Sequence, residues 1–455
     1  MDTLALLGDR ESFRSAVDFV VESVDFNQPY SVNVFEVTIR VLGALLSSHS
    51  LIVDPEQMIP NLHPNYKGGL LSKAIDLADR IIPSFEKTKS GVPLPRVRLD
   101  GGAVHTSNRT DTTIASATSL VLEFGLLSKL TGNETYLFLA RNAVDVIWGI
   151  RNESTGLWPS GIDSRTLQPT NNFSGFGAGF DSFPEYLLKS YIMFGFEIEF
   201  SRFSELIKSY RKYARMGRSK CFSGDGTVPF FANVNFSTGE VANTWIDSLS
   251  AFFPGLLTLS GDVEEAVCLH FLYFTIWRMF DAFPERFDWN KLSSIVHFYP
   301  LRPELIESTY HLYRVTKKPF YLHVGKELLN SIERHMKTDC GFATLHSVLD
   351  RTLEDRMESF FLAETVKYLY LLFDDENPLH SSEKWIFSTE GHLLPVLKSN
   401  EVSICSSPGF NMTRNAFENM ICPGVCHEFT RHENLLPLQP KYIRQIEAAI
   451  GLRQL

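Results

Sequence analysis

No run of 18 or more consecutive apolar residues occurs in this chain, so no segment reads as a membrane span by length. The richest apolar stretch, Cys268 to Phe280, is broken by His270 and Arg278. A basic stripe is missing too, and the net charge is −10, which argues against nucleic acid as a partner. Cysteine is sparse: six in 455 residues do not make a disulfide scaffold. Nor does Met1 open a secretory leader, which needs a basic start and an apolar core. Asp2-Thr3-Leu4-Ala5-Leu6-Leu7-Gly8-Asp9 reads instead as the end of an amphipathic helix, and the expectation is that the first inner helix of the fold is truncated. A GxSxG elbow, an HExxH pair, a P-loop and an EF-hand loop are all absent. Gly175-Phe-Gly-Ala-Gly-Phe180 lacks the dinucleotide spacing.

What is present is a core-forming composition, 44% hydrophobic and 13% aromatic, which excludes wholesale disorder. Length alone suggests about three domains, but the patterning argues for one large one. Leu127-Ser-Lys-Leu-Thr131, Tyr136-Leu137, Ala140 and Ile147 align without gaps on Leu312-Tyr-Arg-Val-Thr316, Tyr321-Leu322, Gly325 and Ile332. Leu4 to Asp9 followed by Phe13 and Ala16 is a weaker copy. Each copy is a helix end, a polar turn and another helix, which is a helix-hairpin repeat. Residues 91–100 and 224–239 are non-helical inserts, the second expected as a β-hairpin. Composition shifts to Ser, Asn, Pro and Cys near residue 399. The expected organisation is a helical domain over 1–396, a tail over 397–440 and an amphipathic helix over 441–455, with Ile443, Ile446, Ala449 and Ile450 on one face.

Acidic residues follow the same rhythm. Glu36, Glu123, Asp181, Asp247, Glu307 and Glu364 each stand at the expected start of a helix, and Asp2 takes that place on the first. Seven hairpins at this spacing predict an all-α fold, an (α/α)7 barrel whose acids converge on one mouth. One acid at a helix N-terminus is explained by the macrodipole, worth about 0.3–1 kcal/mol. A ring of them repels itself, and burial raises the carboxyl pKa values. A hard cation with oxygen ligands such as Ca²⁺ would neutralise it, and paired carboxylates flanking a pocket are the machinery of glycoside hydrolysis. Six sequons, at Asn108, Asn133, Asn152, Asn172, Asn235 and Asn411, favour a secretory-pathway lumen. Cys268, in an apolar helix, reads as a buried thiol. Cys405, Cys422 and Cys426 crowd the tail and suit joint oxidation better than zinc, because Cys422-Pro-Gly-Val-Cys426 has no second ligand pair nearby.

Long motifs sharpen this. Val34-Phe-Glu36-Val-Thr-Ile-Arg40-Val-Leu-Gly43, Gly177-Ala-Gly-Phe-Asp181-Ser-Phe-Pro-Glu-Tyr-Leu-Leu-Lys189 and Pro300-Leu-Arg302-Pro-Glu304-Leu-Ile-Glu307-Ser308 are three of them. Arg356-Met-Glu-Ser-Phe360-Phe-Leu-Ala-Glu364-Thr-Val-Lys-Tyr368 and Phe387-Ser-Thr389-Glu390-Gly-His392 follow. In this order they resemble glycoside hydrolase family 47, the class I α-1,2-mannosidases. Asn243-Thr-Trp-Ile-Asp-Ser248, the Thr-Glu-Gly-His ending and Tyr442-Ile-Arg-Gln-Ile446 are most similar to its ER degradation-enhancing branch, the first paralogue above all.

The resemblance implies the seven-hairpin barrel and a set of roles. Glu36 resembles the general acid, acting through a water, Glu304 the base that activates the attacking water, and Asp181 the third essential acid. Thr389 resembles the Ca²⁺ ligand. Glu123, Glu307, Glu364 and Glu390 match acids that hold waters around calcium or contact sugar. Arg40 and Arg302 match site arginines, and Phe360 an aromatic beneath the sugar ring. Gly179 stands where the ER processing enzyme has an arginine, which implies a more open site. Cys340 matches a cysteine whose partner lies in a stretch this sequence lacks. The implied activity is Ca²⁺-dependent inverting trimming of high-mannose N-glycans on misfolded glycoproteins in the endoplasmic reticulum lumen. The implied partners are a protein disulfide isomerase-like oxidoreductase and the ER-associated degradation machinery, and a membrane anchor in the full-length form stays open. The rival expectation is a catalytically inactive, lectin-like or misfolded-protein receptor with the same pocket; an incomplete gene model is the third.

Overall fold

Residues 1–101, 110–397 and 436–452 are described in the computed structural model of the chain. Asn108 and Asn411, most of the 397–440 tail with Cys405, Cys422 and Cys426, and residues 453–455 lie outside them. The helices alternate between an inner and an outer set. Asp2–Leu6 pairs with Arg10–Ser23, Val34–Ile52 with Gly69–Ile81, Ile114–Thr131 with Thr135–Gly149, and Ser182–Phe194 with Glu197–Tyr213. Ser248–Leu259 pairs with Val263–Phe280 and Glu304–Thr316 with Pro319–His335; the seventh inner run covers 361–373. Apart from the fourth and fifth, sequential inner helices pack against each other, and the seventh touches the first. The fourth and fifth are bridged by Phe176, stacked 3.9 Å from Phe253. This is an α/α barrel.

The aligned repeats explain the hairpins. Thr131 and Thr316 end the third and sixth inner helices, and each hydroxyl donates back to a carbonyl one turn earlier, Leu127 at 2.7 Å and Leu312 at 2.6 Å. The next residue turns left-handed: Gly132 at φ 73° and Lys317 at φ 52°. Glycine takes that conformation freely and lysine does so at a cost, so the repeat is kept by backbone geometry rather than residue identity.

Short strands feed several inner helices. Ser31–Asn33 pairs with Arg96–Arg98 and runs into Val34; Asp111–Thr113 pairs with Gly161–Asp163 and runs into Ile114. Side chains of Asn33 and Thr113 then cap the helices they precede. The expected hairpin over 224–239 forms only at its end, shifted to 233–242, where Val234 bridges Val241 antiparallel and the Asn235 amide donates to the Glu240 carbonyl at 2.7 Å. Phe230–Phe231 pairs with Arg215–Met216 and Val234–Asn235 with Phe173–Ser174, so this insert stitches two other loops together.

Three further expectations change. Two helical runs, Val34–Ile52 and Ile114–Thr131, are long and apolar enough to cross a membrane by length and composition, but 61% and 78% of their windows are buried within the barrel. Cys268 is not a thiol: it forms a disulfide with Cys221. Cys340 is free and exposed. The C-terminal helix is Pro440–Ala449, and it buries Tyr442, Ile446 and Glu447, with Ile450 beyond its end, while Ala449 faces solvent. It covers Val263–Phe280, an outer helix too apolar to face water, and Arg278 reaches Glu447 at 2.9 Å.

Asp2 joins the first inner helix to the last. Its Oδ2 accepts from Lys367 Nζ at 3.0 Å and Ser47 Oγ at 3.2 Å, and lies 2.9 Å from His392 Nδ1. Burial alone would push the Asp2 carboxyl up, yet Lys367 and His392 together hold it well below the usual range. Removing one member of a buried pair strands the other charge, at a cost of about 3–5 kcal/mol. Lys367→Met should therefore destabilise the protein by that amount in urea unfolding. Asp9→Ala, which removes only the exposed cap of Arg10–Ser23, should cost about 1 kcal/mol. Equal losses would refute the closing role of Asp2.

Candidate active site

The N-terminal ends of the inner helices open on one cavity of about 330 Å³. Ten of the eleven residues singled out above line it: Glu36, Arg40, Asp181, Arg302, Glu304, Glu307, Phe360, Glu364, Thr389 and Glu390. Glu123 does not. It lies fully buried behind the wall, where the Tyr186 hydroxyl donates to its Oε1 at 2.8 Å and accepts from the Thr389 amide at 3.4 Å. Glu123 therefore meets the cavity through Tyr186. Asp247 does not line the cavity either and is paired with Arg286 at 2.8 Å, and Asp2 closes the ring rather than joining the mouth.

The acids do not all open their helices. Asp181 caps the fourth inner helix, its Oδ1 accepting from the Ser182 amide at 2.7 Å. Pro184 sits in the first turn, where a missing amide hydrogen costs nothing, and the helix runs on unbroken to Phe194. The sixth helix starts at Glu304, which moves Glu307 one turn inward. Glu364 lies within a helical turn of the wider i→i+5 kind, Phe361–Thr365, and Arg40 lies within another, Thr38–Leu42. Such turns recur at functional sites because the extra residue re-aims side chains. In the Thr38–Leu42 turn, the Arg40 carbonyl is met by His392 Nε2 at 3.2 Å. Gly43 makes room for that ring: a Cβ there would lie 2.8 Å from His392 Cδ2.

The arginines organise the cavity. Arg40 Nε donates to Glu36 at 2.6 Å, and its Nη1 reaches Glu390 at 3.0 Å and Ser359 Oγ at 2.9 Å. Arg302 Nε donates to Glu285 at 2.7 Å, and its Nη1 stands 3.7 Å from Glu304. Both guanidiniums lie 5.5 Å from the Phe360 ring centre. Leu301, next to Arg302, holds φ 63°, a strained left-handed conformation for a branched residue. Its carbonyl is fixed by the Thr365 hydroxyl at 2.7 Å.

Seven carboxylates and two guanidiniums line the cavity. Burial, less the pull of neighbouring cations, pushes Asp181 and Glu304 up to about 7. Burial raises Glu390 to about 7 against the opposing effect of Arg40, and Glu307 to about 8. Glu364 is raised well above the usual range by burial and by Glu390, Glu307 and Glu304. Glu123 reaches about 8 through burial, and its Oε2 has no partner among the described residues. The cavity can thus hold both protonated and ionised carboxyl groups near neutral pH, which acid–base chemistry needs.

Sequence reasoning assigned no role to Glu185, Lys189, Tyr186 or Glu285. Glu185 lines the cavity and pairs with buried Lys189 at 2.5 Å. The four-residue steps from Asp181 to Glu185 to Lys189 put all three on one helical face, a signal that was available. Glu285 sits in a loop ahead of Arg286–Asp288 with no local signature.

Comparison with known proteins follows this geometry. The model of the family described as "Glycosyl hydrolase family 47" matches residues 1–396. The ER degradation-enhancing alpha-mannosidase-like protein 1 of Schizosaccharomyces pombe is 45% identical over 404 residues, covering 89% of this chain and 50% of the relative. Alpha-mannosidase I MNS4 of Arabidopsis thaliana is 41% identical, covering 87% and 62%. The chain thus spans about half to three fifths of the length of these relatives. Among solved structures, the alpha-1,2-mannosidase from Trichoderma reesei superposes with TM-score 0.76 at 26% identity, covering 87% of this chain and 89% of that one.

The shifts fix a pH dependence of stability. Glu123, Asp181, Glu304, Glu307 and Glu390 hold protons in the folded state up to pH 7–8 but release them near pH 4 when unfolded. The folded state binds more protons between those limits, so stability falls as pH rises through them. Asp2 runs the other way: its contribution is present above its unfolded pKa and is lost only as pH falls through its depressed folded value. In chelator, Tm should drop by several degrees from pH 5 to pH 8. A Tm that stays level or rises over that interval would refute the assignment.

Proposed function

The chain belongs to glycosyl hydrolase family 47, and from that premise we propose that it is a Ca²⁺-dependent inverting α-1,2-mannosidase. Its substrates are high-mannose N-glycans of misfolded glycoproteins in the endoplasmic reticulum lumen. One observation carries the reading: Glu36, Asp181 and Glu304 face a single cavity whose two arginines share one aromatic ring. The relatives' names, α-mannosidase and ER degradation-enhancing, support the substrate and the compartment.

The chemistry is the addition of one water across the glycosidic bond. Glu36, whose side chain is 44% exposed at the cavity edge, gives its proton through a water to the leaving oxygen as the bond to C1 breaks. Glu304 takes a proton from the attacking water as its oxygen bonds to C1 from the opposite face. Such a pair needs room for that water, with carboxyls about 6.5–9.5 Å apart. Arg302 favours ionised Glu304 and burial opposes it; a value of about 7 suits a base working near neutral pH. Asp181 is the third acid, held by the Ser182 amide. Phe360 supplies an apolar face beneath the sugar, and Arg40 and Arg302 orient the carboxylates and hydroxyls around it.

The site fits a hard cation. Its donors are oxygens, it carries excess negative charge, and a buried Glu123 oxygen lacks a partner among the described residues. No three acidic, histidine or cysteine side chains could share an ion directly among those residues. By the family resemblance, Thr389 would hold Ca²⁺ through its hydroxyl and carbonyl oxygens, with Glu307, Glu364 and Glu390 holding waters around it and Glu123 acting through Tyr186. Bound there, Ca²⁺ would polarise the 2- and 3-hydroxyls of the terminal mannose. The same reading takes 1–396 as the catalytic domain, 397–440 as a linker and the helix beyond it as an appendage. A protein disulfide isomerase-like oxidoreductase and the degradation machinery are its partners.

NMR of the first sugar released should show β-mannose; α-mannose would refute inversion. Glu304→Gln should lower release at least a hundredfold. Equal release by parent and variant would remove Glu304 from catalysis, and glycan binding without any release would favour a lectin-like receptor. Exhaustive chelation should abolish activity, and full activity in chelator would end the Ca²⁺ assignment.

A further inference from the structure

A second guanidinium site stands next to segments that line the cavity. Asp247 and Arg286 face each other across paired strands, Trp245–Asp247 and Arg286–Asp288. Arg286 Nε donates to Asp247 Oδ1 at 2.8 Å, and its guanidinium carbon lies 4.8 Å from the Trp245 ring centre. The indole in turn meets the Phe173 ring edge-on at 6.4 Å. Arg286 is therefore held from two directions, yet its side chain remains 39% exposed. Nη1 and Nη2 donate to no protein acceptor among the described residues. Nε holds Asp247 and leaves Nη1 and Nη2 for another acceptor.

Three links tie this group to the cavity. Asp247 lies against Gly177, where a Cβ would come within 2.3 Å of its Oδ2, and Ala178 and Gly179 line the cavity. Leu249, two residues after Asp247, also lines it. Glu285, next to Arg286, holds the cavity's Arg302. This site and the cavity therefore share one backbone.

We propose that Arg286 is a specificity-determining residue: its free Nη1 and Nη2 bind a vicinal pair of hydroxyls on an inner sugar of the oligosaccharide whose terminal mannose occupies the cavity. A guanidinium presents parallel N–H groups that match two oxygens on one face, which an ammonium cannot do. Prior fixing by Asp247 and Trp245 lowers the ordering cost of each new hydrogen bond. The ligand class is a branched mannose oligosaccharide, with the hydroxyl pair as the recognised element. The inference rests on the function proposed above.

The test is calorimetric binding in a Glu304→Gln background, so that substrate stays intact. The probes are a nine-mannose oligosaccharide and α-1,2-mannobiose. Arg286→Ala should weaken the oligosaccharide by a factor at least fivefold larger than it weakens the disaccharide. Because Arg286→Ala leaves Asp247 unpaired, Arg286→Lys is the second variant. It keeps a cation beside Asp247 and should still lose most of the oligosaccharide preference. Equal losses on both probes, or full retention by Arg286→Lys, would overturn the proposal. If the Arg286 parent binds neither probe, the function proposed for the cavity fails and this inference falls with it. If the parent binds both and Arg286→Ala changes nothing, only the inference falls.

Discussion

Like charges crowded out of water are the constraint on which this molecule is organised. Seven carboxylates surround one cavity, and each of the buried ones would cost several kcal/mol to ionise there unaided. The surroundings answer that cost at every level. Arg40 and Arg302 reach into the cavity from the second inner helix and from the turn ahead of the sixth. Lys189 neutralises Glu185 from below, and the Asp181 carboxylate accepts a backbone amide at a helix N-terminus. What is left over appears as raised carboxyl pKa values and one partnerless oxygen on Glu123. The wider turns at Arg40 and Glu364 and the left-handed Leu301 belong to the same pattern, because each places a charged side chain where a regular helix would not.

Ring closure answers a different demand. Asp2–Leu6 meets the seventh inner run and closes the barrel. It is held by contacts at both ends. Thr3 Oγ1 donates to the Leu362 carbonyl at 3.0 Å, and Asn377 Nδ2 to the Leu6 carbonyl at 3.3 Å. Between them lies Asp2 with Lys367 and His392. These polar contacts add to the burial of Ala5 and Leu6 in the core. His392 serves both purposes, touching Asp2 on one side and the Arg40 backbone on the other.

Much of this was legible in the sequence, for physical reasons. The aligned Leu127 and Leu312 segments announced the hairpins because inner helices meet the same packing problem each time. The rhythm of the acids announced the mouth because parallel helices share their ends. The depth of each acid was not legible: Glu123, Glu307 and Glu364 look like helix openers in one dimension but sit a turn or more inside. Which side of the cavity wall a residue occupies depends on where its helix starts, and Pro303 and the preceding Leu301 set that for Glu307. The Cys221–Cys268 disulfide was missed because apolar neighbours hide a cysteine's partner as readily as its absence. The strand pairings of 215–241 were missed because loops distant in sequence supply the partners. Glu285 had no local signature, since its meaning comes only from Arg302.

One aromatic ring lies under both cavity guanidiniums. Gly179 on the cavity wall touches neither arginine, so a change there leaves both anchors in place. The centre of the pocket, by contrast, is mechanically tied together, and a change at Phe360 reaches two arginines and their carboxylates at once.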